Sequence, residues 1–361
     1  MKRLLDYYRQ FQELDPAEIS RDLRERRREQ RARELVTVGE LDLSRTAWHQ
    51  PPHPEAVNAA TFALRRALNA YPDPAATAVR ELAASRHGLA VEQIAVGHGA
   101  AELLGDACAA LLGGEGELLV PWPSWRPLPE LAVRAGGRPV QMPGGDLDAL
   151  AARVGPSTRA IALCSPNDPT GAALSRSAVR AFAAALPENV YVLVDEVLAE
   201  FREPGEDAAP LVAELPNLLV FRSFSKAHAL AGVRIGYVAG PPEVVARLSP
   251  AFSVNAPAQA AAAWALEHGD TAIGRRRGVA ARERERLGAA LTGTSLSFPP
   301  SEASFVWLGS DEHDGNALTA HLAARRVLVA PGEQWGDERR VRVTLRGGAA
   351  TERLVAALGE L

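Results

Sequence analysis

Lysine occurs only twice in the 361 residues, as Lys2 and Lys226, and arginine fills every other one of the 40 basic positions. A guanidinium stays protonated at any working pH, whereas a desolvated lysine amine sheds its proton and attacks a carbonyl. A lysine kept against so strong a bias points to that chemistry. Lys226 stands in Arg222-Ser223-Phe224-Ser225-Lys226-Ala227-His228, directly after the apolar run Leu218 to Phe221. Ala231-Gly232-Val233-Arg234-Ile235-Gly236-Tyr237 follows closely. A buried strand thus delivers an amine, the hydroxyls of Ser223 and Ser225 and the cation of Arg234 to one loop. That is the pattern of a Schiff-base lysine with an anion cup beside it.

Three further segments carry polar groups after apolar runs. Val96-Gly97-His98-Gly99-Ala100-Ala101-Glu102 opens a helix, where small residues let backbone amides approach an anion; taken alone it is also an ordinary tight turn. Ser165-Pro166-Asn167-Asp168-Pro169-Thr170-Gly171 and Asp195-Glu196 lie where strands end, the side on which α/β folds bind ligands. A carboxylate following the apolar Tyr191 to Val194 needs a cationic partner, such as a protonated pyridine nitrogen, or else caps a helix.

These groups need a scaffold. Between Ile94 and about residue 240, short apolar runs alternate with alanine-rich helical stretches. The runs are Ile94 to Val96, Leu118 to Val120, Ile161 to Leu163, Tyr191 to Val194, Leu218 to Phe221 and Val233 to Val238. Unalternated runs suit strands buried on both faces, so the expectation is an α/β fold, a mostly parallel sheet covered by helices. A large domain is expected over 37–255, with 37–55 a possible contribution to a smaller α+β domain over 256–361. In that smaller unit a long helix, alanine-rich and then Arg/Glu-rich, follows Pro257. A strand near Ser304 to Leu308, a helix near 315–326 and strands near Val327 and Val341 come after it. A helix is also expected from Glu55 to Leu68, between the breaks at 50–54 and 71–74. Residues 1–36 read as a charged helical arm with an apolar stripe of Tyr7, Tyr8, Phe11 and Leu14. Its arginines are interleaved with acids, which describes a solvated face rather than a nucleic-acid patch.

A net charge of -4 and a pI near 6.1 give no global attraction to nucleic acid or an anionic membrane. The 47% hydrophobic content supports sizeable cores. Cys108 and Cys164 are too few for a disulfide framework, no apolar run reaches membrane-spanning length, and the charged start lacks a signal-peptide core. A cytoplasmic protein acting on small molecules is expected.

Together, Ser223-Phe224-Ser225-Lys226, Ala231 to Tyr237, Ser165 to Gly171 and the intervening Asp195 resemble the fold-type I pyridoxal-phosphate enzymes. The likeness is to class I/II aminotransferases of the histidinol-phosphate aminotransferase type and covers roughly residues 40–360. The resemblance implies that Lys226 holds pyridoxal 5'-phosphate as an internal aldimine and then moves the proton between substrate and cofactor. It implies that Asp195 pairs with the pyridine nitrogen, Asn167 with the ring hydroxyl, and that Trp125 stacks on the ring. The phosphate would be held by the amides of Ala100 and Ala101, by Ser223, Ser225 and Arg234, and by Tyr71 from a partner subunit, making a homodimer with shared sites. Arg342 matches the arginine that grips the substrate carboxylate, although outside the family it reads as a surface strand arginine. The reaction implied passes an amino group from an L-amino acid to a 2-oxo acid.

Departures from the family pattern bear on chemistry and substrate. Leu198 stands where relatives place a tyrosine that donates to the ring hydroxyl, which predicts a raised aldimine pKa. Ala330 stands where histidinol-phosphate enzymes place a phosphate-binding arginine, and Ser44-Arg45-Thr46-Ala47 replaces an Asn-Glu-Asn-Pro stretch. Arg45 could return part of the lost charge. An aromatic, imidazole or other non-phosphorylated donor is therefore expected ahead of histidinol phosphate. His228 is either an acid or base of the reaction or a packing residue, and Trp335 either lines a side-chain pocket or covers a domain edge. Elimination, decarboxylation or cyclisation at the same lysine is the competing chemistry, and a cofactor-binding regulator of DNA the non-enzymatic one.

Overall fold

The computed structural model describes residues 39–248 and 253–361, so the expected arm over 1–36 lies outside the described residues. The chain enters through β1 (Leu41–Asp42). A seven-stranded sheet then forms from β2 (Ile94–Gly97), β3 (Glu117–Trp122), β4 (Arg138–Pro143), β5 (Thr158–Cys164), β6 (Tyr191–Asp195), β7 (Leu218–Ser223) and β8 (Gly236–Ala239). Its order is β2-β8-β7-β6-β5-β3-β4. β3 to β7 are mutually parallel, and β8 lies antiparallel between β7 and β2.

The unbroken apolar runs have a direct cause. Successive side chains of a strand point to opposite faces, and here both faces are covered. Leu119, Ile161, Val192, Val194, Leu218 and Val220 join a core with the helices Thr77–His87, Arg176–Ala185 and Ala256–His268. Their neighbours Leu118, Val120, Ala160, Leu193, Leu219 and Phe221 pack with the helices Ala100–Leu112 and Pro127–Arg134 on the other side. Phe221 is fully buried, and cutting such a side chain to alanine costs about 3–5 kcal/mol.

A second sheet contains β9 (Leu296–Ser297), β10 (Phe305–Ser310), β12 (Ala330–Pro331) and β13 (Arg340–Thr344), in the order β12-β13-β10-β9 and antiparallel throughout. β1 pairs in parallel with β11 (Val327–Leu328), and Leu43 enters the core beneath this sheet with Val306, Leu308, Leu322 and Val343. The segment near residue 40 is thereby tied to the C-terminal part of the chain, which brings Ser44 to Ala47 to the junction of the two sheets.

Three differences from the sequence expectations have physical reasons. β4 escaped notice because it is a half-exposed edge strand with Pro139 and Pro143 in it. The single helix expected after Pro257 is two, Ala256–His268 and Asp270–Leu291, parted at Gly269, where a Cβ would stand 2.3 Å from the carbonyl of Ala265. The packing also does not change at 255/256. Ala258, Ala261, Ala262 and Ala265 of the first of these helices belong to the core of the large sheet.

Candidate active site

The segments that follow the carboxyl ends of β2, β3, β6 and β7, together with the approach to β8, meet at one edge of the large sheet and border a cleft whose empty space, open solvent included, is about 640 Å³. Lys226, Asp195, Trp125, Ser223, Ser225 and Arg234 all line it, as do Ala100 and Ala101. Residues as far apart in sequence as Ala47 and Arg234 therefore converge, most of them because parallel strands end on the same side.

The loop after β7 is held from several sides. Phe224 is 1% exposed and its amide donates to the carbonyl of Ile235, while the Ser225 amide donates to Ser223 Oγ at 3.1 Å. Beyond the lysine, the amide of Ala229, at a φ of 62°, donates to the Lys226 carbonyl, and Arg276 donates to the carbonyl of Ala227. Lys226 Nζ donates to Thr46 Oγ1. Burial pulls the Lys226 pKa below the usual lysine value, opposed by the negative charge of Asp168 and assisted by Arg342. A lowered pKa makes the free amine, the nucleophilic form, more accessible at neutral pH.

Opposite the lysine is a cup for an anion. The helix Ala100–Leu112 points its N-terminus at the cleft, where the first N–H groups have no intrahelical partner and the dipole is positive. Arg234 Nη1 donates to Ser225 Oγ at 3.3 Å and to the carbonyl of Ala231 at 3.2 Å, from a left-handed backbone at φ 57° and ψ 76°. Such a conformation in a non-glycine residue is costly, and it fixes the guanidinium over the cup. Gly99 has φ 102°, and a Cβ there would lie 2.6 Å from Arg234 Nη2. Only glycine lets the arginine come this close.

At the deep end, Asp195 is 2% exposed. Its Oδ1 accepts from the Val197 amide at 3.1 Å, and Oδ2 has the Cys164 thiol at 4.0 Å. Burial pushes its pKa up to about 7, partly offset by the Val197 hydrogen bond and by Lys226. Among the described residues Asp195 makes no ion pair, and a carboxyl this far from its ordinary range favours a cation placed against it. Asn167, expected at the ring hydroxyl, is placed differently. Its Nδ2 donates to the Pro123 carbonyl at 3.0 Å and to Thr170 Oγ1 at 2.9 Å, bracing its own loop outside the cleft. The neighbouring Asp168, passed over in the sequence, is the residue of that loop turned toward Lys226 and Arg342.

Arg342 projects from β13 with its side chain 10% exposed. Nη1 is paired with Asp168 Oδ1, Nη2 donates to the Ser44 carbonyl at 2.8 Å, and the guanidinium lies 4.9 Å from the Trp335 ring and 5.4 Å from Phe305. It is not the surface arginine that its sequence context alone suggests. Trp335 is 4% exposed and buttresses this arginine, and Trp122 Nε1 donates to its carbonyl at 2.7 Å. Arg45 points outward, 80% exposed and paired with Asp42 at 3.2 Å, whereas its neighbours Ser44, Thr46 and Ala47 reach the site. His228 does not line the cleft. It is 9% exposed against Phe224, 3.9 Å from Glu200, and burial pushes its pKa down to about 4. Tyr71 is 97% exposed, and Leu198 is sealed in an apolar cluster with Trp48, Phe201, Ala227 and Phe305.

The family described as "Aminotransferase class I and II" matches residues 38–358. The chain is 37% identical to the aromatic amino acid aminotransferase of Rhodococcus jostii (strain RHA1), over 80% of its own length and 81% of that protein's. With the protein of the same name from Cutibacterium acnes it shares 35% identity, over 86% and 89% of the two chains. Among solved structures, histidinol-phosphate aminotransferase from Sinorhizobium meliloti with pyridoxal-5'-phosphate superposes with a TM-score of 0.79. It has 25% identity and 91% and 92% coverage. Aspartate aminotransferase from Thermotoga maritima, at 21% identity, gives a TM-score of 0.82 over 92% and 95% of the chains, a likeness of fold. The chain belongs to the class I and II aminotransferases. It is a pyridoxal-phosphate-dependent enzyme that moves an amino group from an amino acid to a 2-oxo acid. The site fits that cofactor on its own evidence: a buried amine, a buried carboxyl with no ion pair among the described residues, and an anion cup whose arginine a Cβ at Gly99 would displace. When bound, the cofactor supplies an aldehyde for the amine and an electron sink for the reaction.

Proposed function

We propose that the amino donor is an aromatic L-amino acid and that the working enzyme is a homodimer. The observation that carries the first reading is the wall beside Arg342. Ala330, Trp307 and Trp335 form a buried apolar cluster flanked by Trp122, with Phe305 beside the guanidinium. Ala330 offers a methyl group where a phosphorylated side chain would need a cation, and aromatic faces suit a flat apolar side chain. The names of the relatives from Rhodococcus jostii and Cutibacterium acnes point the same way.

Within this reading Lys226 would hold the cofactor through its aldehyde and serve as the base for the proton at the substrate α-carbon. Thr46 Oγ1 orients Nζ, and Asp195 and Trp125, which line the same cleft, would hold the pyridine nitrogen and cover the ring. Ala100, Ala101, Ser223, Ser225 and Arg234 hold the phosphate, and Arg342 takes the substrate carboxylate. The domain division is proposed near His268, with residues 39–46 joined to the C-terminal unit. A cytoplasmic location accords with two buried free thiols. Among the described residues no helix is long and apolar enough to cross a membrane.

The dimer rests on an exposed apolar row, with Phe62 61%, Leu68 79% and Tyr71 97% exposed along and after the helix Pro54–Ala67. Tyr71 would enter the partner's phosphate cup. Sedimentation of the loaded protein tests assembly, and Tyr71→Phe should weaken cofactor binding several-fold. The donor is tested by single-turnover loss of the cofactor's aldehyde absorbance with phenylalanine, tyrosine, histidine, glutamate and histidinol phosphate. A faster reaction with histidinol phosphate or glutamate than with phenylalanine would refute the aromatic reading.

A further inference from the structure

The arginine expected to grip the substrate already holds a carboxylate belonging to the chain. Asp168 Oδ1 is paired with Arg342 Nη1, both side chains being nearly buried at 12% and 10% exposure. Nη2 is committed to the Ser44 carbonyl at 2.8 Å, and the guanidinium lies over the rings of Trp335 and Phe305. End-on, bidentate capture of a carboxylate uses one N–H from each Nη. Here Asp168 and Ser44 take one N–H from each Nη, while the buried Nε has no hydrogen-bond partner.

We propose that Asp168 is a specificity-determining residue of this site: its carboxylate sits on Arg342 beside the place a substrate carboxylate would take and competes with it for the guanidinium's charge. This rests on the reading of Arg342 as the carboxylate site of an amino-acid donor. Two carboxylates on one guanidinium leave a negative charge uncompensated in a buried place, so each weakens the hold of the other. Asp168 also faces Lys226, whose charge it supports, and Asp195, whose ionisation it opposes. It is therefore set among the charges that govern entry of the substrate's own ammonium and carboxylate. The resting pair keeps Arg342 in place among the aromatic rings and makes the site discriminate against anions that bring no amine.

The consequence is a gain of binding when the charge is removed, which a merely structural role would not produce. The probes are 3-phenylpropanoate and hexanoate, carboxylates with no amine to react, titrated calorimetrically into the cofactor-loaded full chain. Asp168→Asn should bind both at least 10-fold more tightly than the unsubstituted protein, and Asp168→Ser, a second variant against misfolding, should do the same. Adding Arg342→Ala to either should abolish the gain. A gain with hexanoate and none with 3-phenylpropanoate would uphold the role of Asp168 and count against the aromatic donor. Unchanged or weaker binding of both probes in both variants, including no binding at all, would overturn the proposal.

Discussion

Asp195→Asn in the cofactor-free protein separates what the fold needs from what the cofactor needs. Burial raises the Asp195 pKa from 3.8 to about 7. In the unfolded chain the carboxyl ionises near its ordinary value, so between those two pH values the folded state binds the extra proton. Stability is then full below about 4 and is lost as pH rises through about 7. A gap of about 3 pH units corresponds to roughly 4 kcal/mol, a ceiling that relaxation and water entry reduce to about 2. Asparagine cannot ionise, yet its Oδ1 can still accept from the Val197 amide at 3.1 Å. The variant should therefore be more stable than the unsubstituted protein at pH 8, by about 2 kcal/mol or roughly 2–3 °C in Tm, and the advantage should shrink toward pH 5. Denaturant melts of both proteins at several pH values provide the assay. An advantage that is absent at pH 8, or equal at pH 5 and pH 8, would refute the claim that Asp195 lies in the fold as an uncompensated charge. With cofactor added the order should reverse, because a neutral amide cannot hold the pyridine nitrogen charged.

Lys226→Ala should leave a folded protein whose cofactor absorbance matches the free aldehyde, with transamination reduced by a factor on the order of 10³ or more, read in single turnovers. Gly99→Ala should lower cofactor affinity by about 10-fold, since its Cβ would meet Arg234 Nη2 at 2.6 Å and its φ of 102° disfavours a side chain; equilibrium dialysis measures this. His228→Gln should keep kcat and its pH profile within about 3-fold while lowering Tm, because the ring lies outside the cleft and its pKa of about 4 leaves it neutral in the working range. Leu198→Tyr should destabilise by about 1–3 kcal/mol through overpacking against Trp48 and Phe305, seen in a denaturant melt.

The parts that were legible in the sequence are those with a local cause. Continuous apolar runs marked β2, β3, β5, β6 and β7 because both sheet faces are covered, and the polar residues directly after them had to meet at one sheet edge. Lys226 stood out through the near absence of lysine elsewhere. Side-chain direction within a loop is not written locally. Asn167 and Asp168 are adjacent, and only the position of Arg342 on a distant strand decides that the aspartate faces inward while the asparagine braces Pro123. The ionisable member of the pair was the available signal. The loop Ser44 to Ala47 was marked, but the role went to Arg45 instead of Ser44 and Thr46, because their place depends on β1 joining β11, a pairing across almost the whole chain. The run taken as a strand from Val233 starts only at Gly236, since Ala231–Val233 forms a 3-10 turn and Arg234 adopts a left-handed conformation to reach the cup.

The most direct test of the central claim mixes the loaded enzyme with L-phenylalanine alone, then with a 2-oxo acid, and follows the cofactor by absorbance and its product by chromatography. The account predicts loss of the aldehyde form with one equivalent of phenylpyruvate per site, conversion of the cofactor to pyridoxamine phosphate, and recovery of the aldehyde on adding the 2-oxo acid. All of this should be absent in Lys226→Ala. An aldehyde form that is unchanged, or that returns without a 2-oxo acid while ammonia or carbon dioxide is released, would contradict it.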